Sequence, residues 1–453
     1  MTILLLAAAV ASEAAPSRPD IMFNRWQEDW SVLADPALRT GPLDGLKYIP
    51  LPGGDPDNYL SFGANLRERF ETNRAPGFGT NPANPADSYV ISRLEAHADL
   101  GAGPVQAFVQ LQSDFAPGKR AKAPVDSDRL DLEQAFVALV EPLGGGTLKL
   151  RAGRQQFAFD LQRFVAARDG PNVRQSFDAL WGDYETGPWR LIGYYSRPVA
   201  NRDDHPFDDA SSNANLFYGV RVERHVLGNN ELSAYWSRYT NDAAKFLTAK
   251  GHERRDVWDA RFAGKRGAVD WDIEGMAQTG HVGAKTIRAW AFGSRFGYSL
   301  AALPLAPRAG IQIDGASGDR HPGDDRLGTF NPLFPNGYYV TLSGYTGYVN
   351  FLHVKPSLTI KSAKSLSLMG AAGLQWRMTR QDAVYTQPTI PVAHTAGTGS
   401  RWTGIYGQFR ADWKISRSLA AAVEAVHFSV GQTIRQAGGH DGDYLGVELK
   451  YGW

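Results

Sequence analysis

Residues 60–71 read LSFGANLRERFE, and this stretch decides the fold. Apolar residues stand two apart along it, starting at Leu60, and polar residues fill the positions between them. Because successive side chains of a β-strand point to opposite faces, this alternation predicts a strand with one apolar face. The polar face carries Arg67, Arg69 and Glu71. Such a face suits either a sheet with one side in water or a barrel that is apolar outside and charged inside.

The composition excludes several classes of protein. The chain has 453 residues, 48 Lys+Arg against 47 Asp+Glu, and no cysteine. The balanced charge gives no indication of nucleic-acid binding. The absence of cysteine excludes a disulfide scaffold, a thiol nucleophile and a Cys-ligated metal. The length suffices for two or three ordinary domains or for one large barrel.

The first residues resemble the end of a secretory signal. Residues 3–11 form a short apolar run, with an A-x-A cleavage pattern at 9–11 and no basic stretch before it. We therefore expect residues 1–11 to be a signal peptide remnant, 12–57 to be an N-terminal segment on the periplasmic, plug side, and 58–453 to form the barrel. No later run approaches the length of a transmembrane helix, about 18 apolar residues.

Alternating segments recur along the rest of the chain, and the connections between them alternate in length. Tight connections include GAGP at 101–104, PLGGG at 142–146 and SAKS at 362–365, and the longest loop spans roughly 317–348. The tight link HVGAK at 281–285 is the main exception, because it stands where a long loop is expected. The predicted segments are 58–72, 88–100, 105–115, 129–141, 147–157, 173–185, 189–198, 215–226, 231–241, 255–265, 268–280, 285–300, 306–316, 349–361, 366–380, 401–414, 419–430 and 442–453.

This pattern predicts an all-β protein, a transmembrane antiparallel β-barrel of about 18 strands in the bacterial outer membrane. Short periplasmic turns and long extracellular loops are typical of such barrels. Backbone groups in lipid must all be paired, so the sheet must close, and about 18 strands leave an aqueous channel. We expect Trp189, Tyr235, Trp271, Trp413 and Trp453 to point outward as an interfacial girdle.

The same alternation places acids and bases together in the lumen. For any single arginine the simpler interpretation is a cross-strand ion pair that stabilises the wall. For the set we favour a selective pore, because rings of charge select ions and the planar guanidinium suits carboxylates. The loops 317–348 and 116–128 are candidate lids, and the second carries Lys119, Arg120 and Lys122. The predicted lumen arginines are Arg67, Arg69, Arg93, Arg151, Arg221, Arg261, Arg308 and Arg410, with Glu71, Glu95, Glu133 and Asp314 as acid partners.

No motif for catalysis or cofactor binding is present. G-x-S-x-G, H-E-x-x-H and G-x-x-x-x-G-K-[ST] are all missing, and the ten histidines lack metal-ligand spacing. We therefore predict neither an enzyme nor a cofactor. Asp oxygens in DGDYLG at 441–446 and GDRHPGDDRLG at 318–328 are candidate Ca²⁺ ligands, although solvated loops are the simpler interpretation.

From about residue 26 to 453 the chain resembles the alginate export family of outer-membrane porins. The stretches that carry the resemblance are NYLSFGANLRERFE (58–71), LKLRAGRQQFAF (148–159), RDGPNVRQSFDAL (168–180), TFNPLFP (329–335), VKPSL (354–358) and AVEAVHFSVGQTIRQAG (422–438). The resemblance implies a barrel of 18 strands with an arginine-lined constriction through which an anionic polyuronate is threaded.

The family motifs carry four arginine positions over to this chain: Arg67 or Arg69, then Arg151 and Arg154 in LRAGRQ, and Arg174 in NVRQSFD. Arg154 has the parity of a lipid-facing residue unless Gly153 marks a bulge. Arg174 shares a face with Asp178, which favours a lumen ion pair.

We therefore predict a channel for an anionic solute, with an alginate-like polyuronate as the leading substrate. The alternatives are a general or small aromatic or organic-acid uptake porin on the same barrel, an outer-membrane barrel enzyme, and a secreted glycan-binding β-protein. The near-zero net charge argues against strong anion selectivity. The expected partners are an anionic polysaccharide or small anionic solute, outer-membrane lipid including lipopolysaccharide, and the barrel assembly machinery, with no nucleic acid.

Overall fold

A computed structural model describes residues 18–226 and 230–453, so the predicted signal remnant lies outside the described residues. It is a closed barrel of 18 antiparallel strands, which confirms the predicted fold. Each strand pairs with its neighbours in sequence, and the last strand pairs with the first. The strands are β1 (Tyr59–Asn73), β2 (Asp87–Ala102), β3 (Val105–Phe115), β4 (Asp128–Leu143), β5 (Gly146–Gln155), β6 (Phe177–Thr186), β7 (Trp189–Ala200), β8 (Asn215–Val226), β9 (Asn230–Lys245), β10 (Lys250–Arg266), β11 (Val269–Val282), β12 (Lys285–Ser299), β13 (Arg308–Ala316), β14 (Phe351–Ala363), β15 (Leu366–Arg377), β16 (Trp402–Lys414), β17 (Leu419–Val430) and β18 (Gly442–Gly452).

The strand alternation sorts side chains between lipid and lumen as predicted. On β1 the outward residues Leu66 and Phe70 are 38% and 42% exposed, whereas the inward residues Arg67 and Arg69 are 5% and 3% exposed. Lipid covers the apolar face, so the polar positions must face the interior. The long loops mark the extracellular end of the barrel, and the short turns mark the periplasmic end.

The tight link at 281–285 is a true turn, because β11 ends at Val282 and β12 begins at Lys285. The preceding extracellular connection, 246–249, is also short. Strands β9 and β10 are instead long, at 16 and 17 residues. In this part of the barrel the strands themselves, rather than loops, extend toward the extracellular side.

The predicted outward orientation is wrong for two aromatic residues, Tyr235 and Trp453. Tyr235 is buried inside the barrel, 5.4 Å from the ring of Phe159, and its neighbour Trp236 takes the outward position. Consecutive aromatics on one strand must point to opposite faces, and the sequence does not tell which one faces lipid. Trp453 lies beyond the end of β18 and packs its ring under the ammonium of Lys47.

Two extracellular loops fold into the lumen and pack on each other. They are the β5–β6 loop, residues 156–176, and the β13–β14 loop, residues 317–350. A short parallel bridge joins Val165 to Phe334. Aromatic and aliphatic side chains from both loops form one buried cluster with residues of the wall. The second loop turns inward, as expected for a candidate lid, whereas the first loop was not predicted to enter.

The N-terminal segment, residues 18–58, packs against the periplasmic end of the barrel. Arg25 donates hydrogen bonds to the side chain of Asn65 and to the carbonyl oxygen of Trp453. Trp26 packs edge-on against Phe136 in the lumen. The helical turns of the N-terminal segment are Arg25–Gln27, Ser31–Ala34, Pro36–Leu38 and Asp44–Lys47.

The remaining elements are short. The helical turns are Pro76–Gly79 and Gln432–Gln436, and the short strands are Ile49–Pro50, Ala210–Ser211, Arg326–Leu327, Tyr385–Thr386 and Ile390–Pro391. Within the described residues, no helix is long and apolar enough to cross a membrane.

Candidate functional site: the arginine constriction

A row of three cations crosses the lumen wall on three neighbouring strands. In the strand register, Arg67 on β1 lies directly opposite Arg93 on β2 and directly opposite Lys450 on β18. All three side chains point inward, as the alternation along their strands requires. Because the three residues are paired with one another in the strand register, the cations lie at the same height in the lumen. We call the site formed by Arg67, Arg93, Arg174, Lys450 and segment 169–172 the constriction.

Segment 169–172 of the β5–β6 loop lies across this row, and its carbonyl oxygens accept hydrogen bonds from the guanidinium groups. Arg67 donates to three of these carbonyl oxygens, at 3.0, 3.3 and 3.4 Å. Arg93 also donates to three, two of them at 2.7 Å and one at 3.3 Å. Neutral carbonyl oxygens are weaker partners for a guanidinium than carboxylates are, so this part of the contact is exchangeable.

The carboxylate of Asp169 occupies the centre of the cations. Its Oδ1 accepts hydrogen bonds from Arg93 at 2.7 Å and from Arg174 at 2.9 Å, and its Oδ2 lies 3.4 Å from the Lys450 ammonium. Burial raises the pKa of Asp169, but Arg174, Lys450 and Arg93 outweigh burial and hold that pKa well below its usual range. The constriction therefore already holds one ionised carboxylate, which belongs to the protein itself.

Acidic side chains balance the remaining charge of the constriction. The Nε of Arg67 lies 2.6 Å from Glu448. Arg174 lies 2.6 Å from Glu95 and 3.5 Å from Glu133. Mixed charges of this kind explain how a chain with almost no net charge concentrates cations at one point of its lumen.

Arg69 stands one step toward the extracellular side of the constriction. It forms ion pairs with Glu71 at 2.7 Å and Glu424 at 2.5 Å, and its guanidinium lies 5.3 Å from the centre of the Tyr338 ring. Tyr338 also donates a hydrogen bond to the Gly170 carbonyl oxygen at 3.3 Å. Its ring fills the space that a Cβ on Gly170 would need, so the close contact requires glycine at that position.

Cavities lie on both sides of segment 169–172. Toward the extracellular side, a cavity of about 440 Å³ shares lining residues with a second of about 220 Å³, which reaches Gly170 and Tyr338. Toward the periplasm, a cavity of about 430 Å³ is lined by Arg67, Asp169 and other residues of the constriction. Segment 169–172 therefore separates two water-accessible spaces.

Other predicted lumen residues lie away from the constriction. Arg151 packs its guanidinium against the rings of Trp26, Phe136 and Trp181, where the N-terminal segment meets the wall. The rest form ion pairs or hydrogen bonds along the wall: Arg221 and Arg261 with Asp160, Arg308 with Asp270, Arg410 with Asp412 and Glu424, and Asp314 with His353.

Two expectations for the motif residues need correction. The predicted lumen pair of Arg174 and Asp178 is wrong, because β6 begins at Phe177 and Arg174 lies in the inward loop. Asp178 instead pairs with Arg154 at 3.0 Å. Arg154 keeps its outward parity, but it lies at the extracellular end of β5, where the β7–β8 loop covers it and Asp209 accepts one of its hydrogen bonds.

Three residues at or next to the constriction do not follow from the sequence. Asp169, Tyr338 and Asn172 all come from loops, and no strand periodicity points to them. The only signal was local: RDGPNVR places charged residues on both sides of a Gly-Pro turn within one of the motifs. Asn172 ties the turn to the wall by donating to the carbonyl oxygens of Ser92 and Phe115.

A closed barrel with apolar outer and charged inner faces, constricted by an inward loop, defines an outer-membrane channel rather than an enzyme. The model of the alginate export family matches residues 58–448, and the chain belongs to that family. The resemblance seen in the sequence is therefore confirmed, as is the location in the bacterial outer membrane.

Solved porin structures share the fold at low sequence identity. Acinetobacter baumannii OccAB3 is 11% identical, with a TM-score of 0.57 over 87% of this chain and 99% of that one. Pseudomonas aeruginosa OpdO is 13% identical, with a TM-score of 0.56 over 87% of this chain and 97% of that one. Pseudomonas aeruginosa OccK2 (OpdF), solved in complex with glucuronate, is 12% identical, with a TM-score of 0.54 over 87% of this chain and 97% of that one. A search of curated proteins finds no match.

Proposed function

We propose that the channel passes carboxylate-bearing solutes and that an alginate-like polyuronate is its substrate. The observation that carries the proposal is the position of Asp169, whose carboxylate contacts Arg93, Arg174 and Lys450. A site that binds an internal carboxylate has the charge and the donor geometry for the carboxylate of a uronate.

Passage requires the solute to replace segment 169–172 at the cations. The guanidinium donors of Arg67 and Arg93 that now contact carbonyl oxygens gain stronger, charge-assisted bonds when a uronate carboxylate arrives. Arg69 lies on the extracellular side of these two arginines, and Lys450 lies beside them. Successive sugar units of a polyuronate therefore meet successive cations. Several weak sites in a row favour movement over trapping.

The family supports a polyuronate as the substrate, and the glucuronate in the OccK2 complex supports a uronate as the chemical unit. A channel for small organic acids is the second candidate. The cavity of about 220 Å³ directly above segment 169–172 favours it, because that space is small for a polymer while the segment is in place.

The test is conductance of the purified protein in a planar bilayer, with the reversal potential measured in a salt gradient and with oligomannuronate and glucuronate added separately. We expect an anion-selective current that the oligomer blocks at much lower concentration than the monomer. Equal block by both would favour the small-acid channel. A weakly selective current indifferent to both would overturn the proposal.

A matched pair of variants tests whether block by oligomannuronate depends on the constriction. Arg174→Gln removes one cation that holds Asp169, whereas Arg308→Gln removes a lumen arginine that pairs with Asp270 away from it. We expect the first variant to weaken oligomer block several-fold and the second to leave it nearly unchanged. Equal effects would show that block depends only on total lumen charge.

A further inference from the structure

A group of carboxylates lies where β4 meets the β7–β8 loop, at the extracellular end of the barrel. Oxygen atoms of Asp128, Asp131 and Asp209 all lie within 4.8 Å of one another. Asp128 and Asp131 are 0% and 2% exposed. The residues are brought together by the loop 201–214, since the backbone N–H of Asp209 donates to Asp131 at 2.8 Å.

Oxygen atoms without a donor point to a missing ligand in this group. Gln112 donates its Nε2–H to Asp128 at 2.8 Å, which places the carboxamide directly beside the carboxylates. The Oε1 of Gln112 and the Oδ1 of Asp128 are both buried, and no hydrogen-bond donor among the described residues reaches either. A buried carboxylate oxygen without a donor is unfavourable, and a bound cation relieves that cost, as protonation also can.

The strand register adds a fourth carboxylate. Asp114 on β3 lies directly opposite Asp128, is 0% exposed, and has neither oxygen hydrogen-bonded within the described part of the chain. Side chains alone therefore leave several buried carboxyl oxygens of this part of the barrel without partners.

The nearest cation does not neutralise the group. Arg154 lies 3.5 Å from Asp131, but its closer contact, at 3.0 Å, is with Asp178. By contrast, in the second acidic group of the lumen, Asp160 with Asp259 and Glu274, three arginines contact Asp160 and Glu274 and supply compensating charge, although both oxygens of Asp259 lack a donor.

We propose that Asp128, Asp131 and Asp209, together with Gln112, bind a divalent cation of the calcium class. Oxygen-only ligands select hard cations, and Ca²⁺ at about 2.3–2.6 Å from each ligand accommodates oxygens separated by up to about 5 Å. This site differs from the loops 318–328 and 441–446, whose Asp residues were the candidates in the sequence.

The cation would fasten the β7–β8 loop to the wall. The loop already contacts β4 through the N–H of Phe207, which donates to the Leu130 carbonyl oxygen at 2.9 Å, and through Arg129, which pairs with Asp203 at 3.1 Å. These contacts are exposed, so they hold the loop only weakly. A metal bound by wall and loop together links the two at a buried position.

The test uses the full barrel in detergent, stripped with EDTA and then titrated with Ca²⁺ by calorimetry. We expect one site per barrel, a higher midpoint of thermal unfolding, and slower tryptic cleavage after Arg202, which lies in the loop. Asp209→Asn should weaken Ca²⁺ binding by more than about tenfold, since affinity follows the number of charged ligands. Asp324→Asn, in the exposed loop 318–328, is the control and should bind as the wild type does.

Two results would overturn the proposal. One is a wild-type barrel without a stoichiometric Ca²⁺ site. The other is an Asp209→Asn variant that binds Ca²⁺ and resists trypsin as the wild type does. Asp128→Asn provides a second variant on the wall, should the loop variant fold poorly. None of these readouts depends on conductance, so the cation site and the proposed solute can fail separately.

Discussion

Arginines on two sides of the same lumen are bonded in different ways. At the constriction, Arg93 gives three of its hydrogen bonds to backbone carbonyls of segment 169–172. On the opposite wall, Arg221 donates to both oxygens of Asp160, at 2.8 and 2.6 Å, and to Glu223 at 2.6 Å. Carboxylate partners fixed on the wall or packed against it make a structural ion pair, whereas carbonyls of a loop are partners that a solute can replace. Donation to the loop carbonyls, beside any ion pair, therefore distinguishes Arg67 and Arg93 from a wall arginine such as Arg221.

The largest expected effect is on stability, from Arg221→Ala. The substitution takes Arg221 from the carboxylates of Asp160 and Glu223, which keep only Arg261 and Arg190 respectively, so we expect a loss of about 3 kcal/mol of unfolding free energy. Urea unfolding in lipid vesicles measures the loss. A change below about 1 kcal/mol would show that the wall arginines do not stabilise the barrel as described.

Arg93→Gln should affect stability less and conduction more. Glutamine keeps an amide donor for segment 169–172, so we expect a loss of about 1–3 kcal/mol. The anion-to-cation permeability ratio, taken from the reversal potential, should fall because one of the three cations in the row disappears. An unchanged permeability ratio would show that Arg93 does not line the solute path.

Asp169→Asn should strengthen solute binding. The variant removes the internal carboxylate but keeps the backbone carbonyls of the segment, so Arg174 and Lys450 become available to a uronate. Oligomannuronate should then block at about tenfold lower concentration, a change of about 1.4 kcal/mol. Asp270→Asn is the matched control, because Asp270 pairs with Arg308 away from the constriction. Weaker block in Asp169→Asn would mean that Asp169 does not compete with the solute.

The smallest effect is expected for Arg308→Gln. This arginine pairs with Asp270 near the periplasmic end and its side chain is 34% exposed, so the pair contributes at most about 1 kcal/mol. Selectivity and oligomer block should stay close to wild type. A change as large as that of Arg93→Gln would erase the distinction between the two regions.

The sequence predicted the barrel well because one simple constraint acts along every strand. A lipid-facing wall needs an apolar residue at every second position, so LSFGANLRERFE alone separates Leu66 from Arg67. The constraint weakens where both faces carry similar residues. Tyr235 and Trp236 are adjacent aromatics, and only the pairing register decides that Tyr235 faces the lumen.

The constriction was predictable only in part. Arg67 and Arg93 follow from strand parity, but their alignment with Lys450 depends on the register between strands, which the sequence does not state. The role of segment 169–172 depends on a loop turning inward. That turn results from contacts of the segment with distant residues such as Tyr338, which no local pattern encodes.

The most direct test of the account is to tether segment 169–172 in place. The chain has no cysteine, so Gly170→Cys with Tyr338→Cys introduces the only thiols, at positions that are in contact. A short bis-methanethiosulfonate linker joins the two thiols reversibly, and the unlinked double variant and the Tyr338→Cys single variant serve as controls. We predict that the linked channel loses its anion current and its uronate block and that a reductant restores both. A linked channel that conducts and binds uronates like the unlinked one would contradict the account, because the solute would then not need the cations that segment 169–172 occupies.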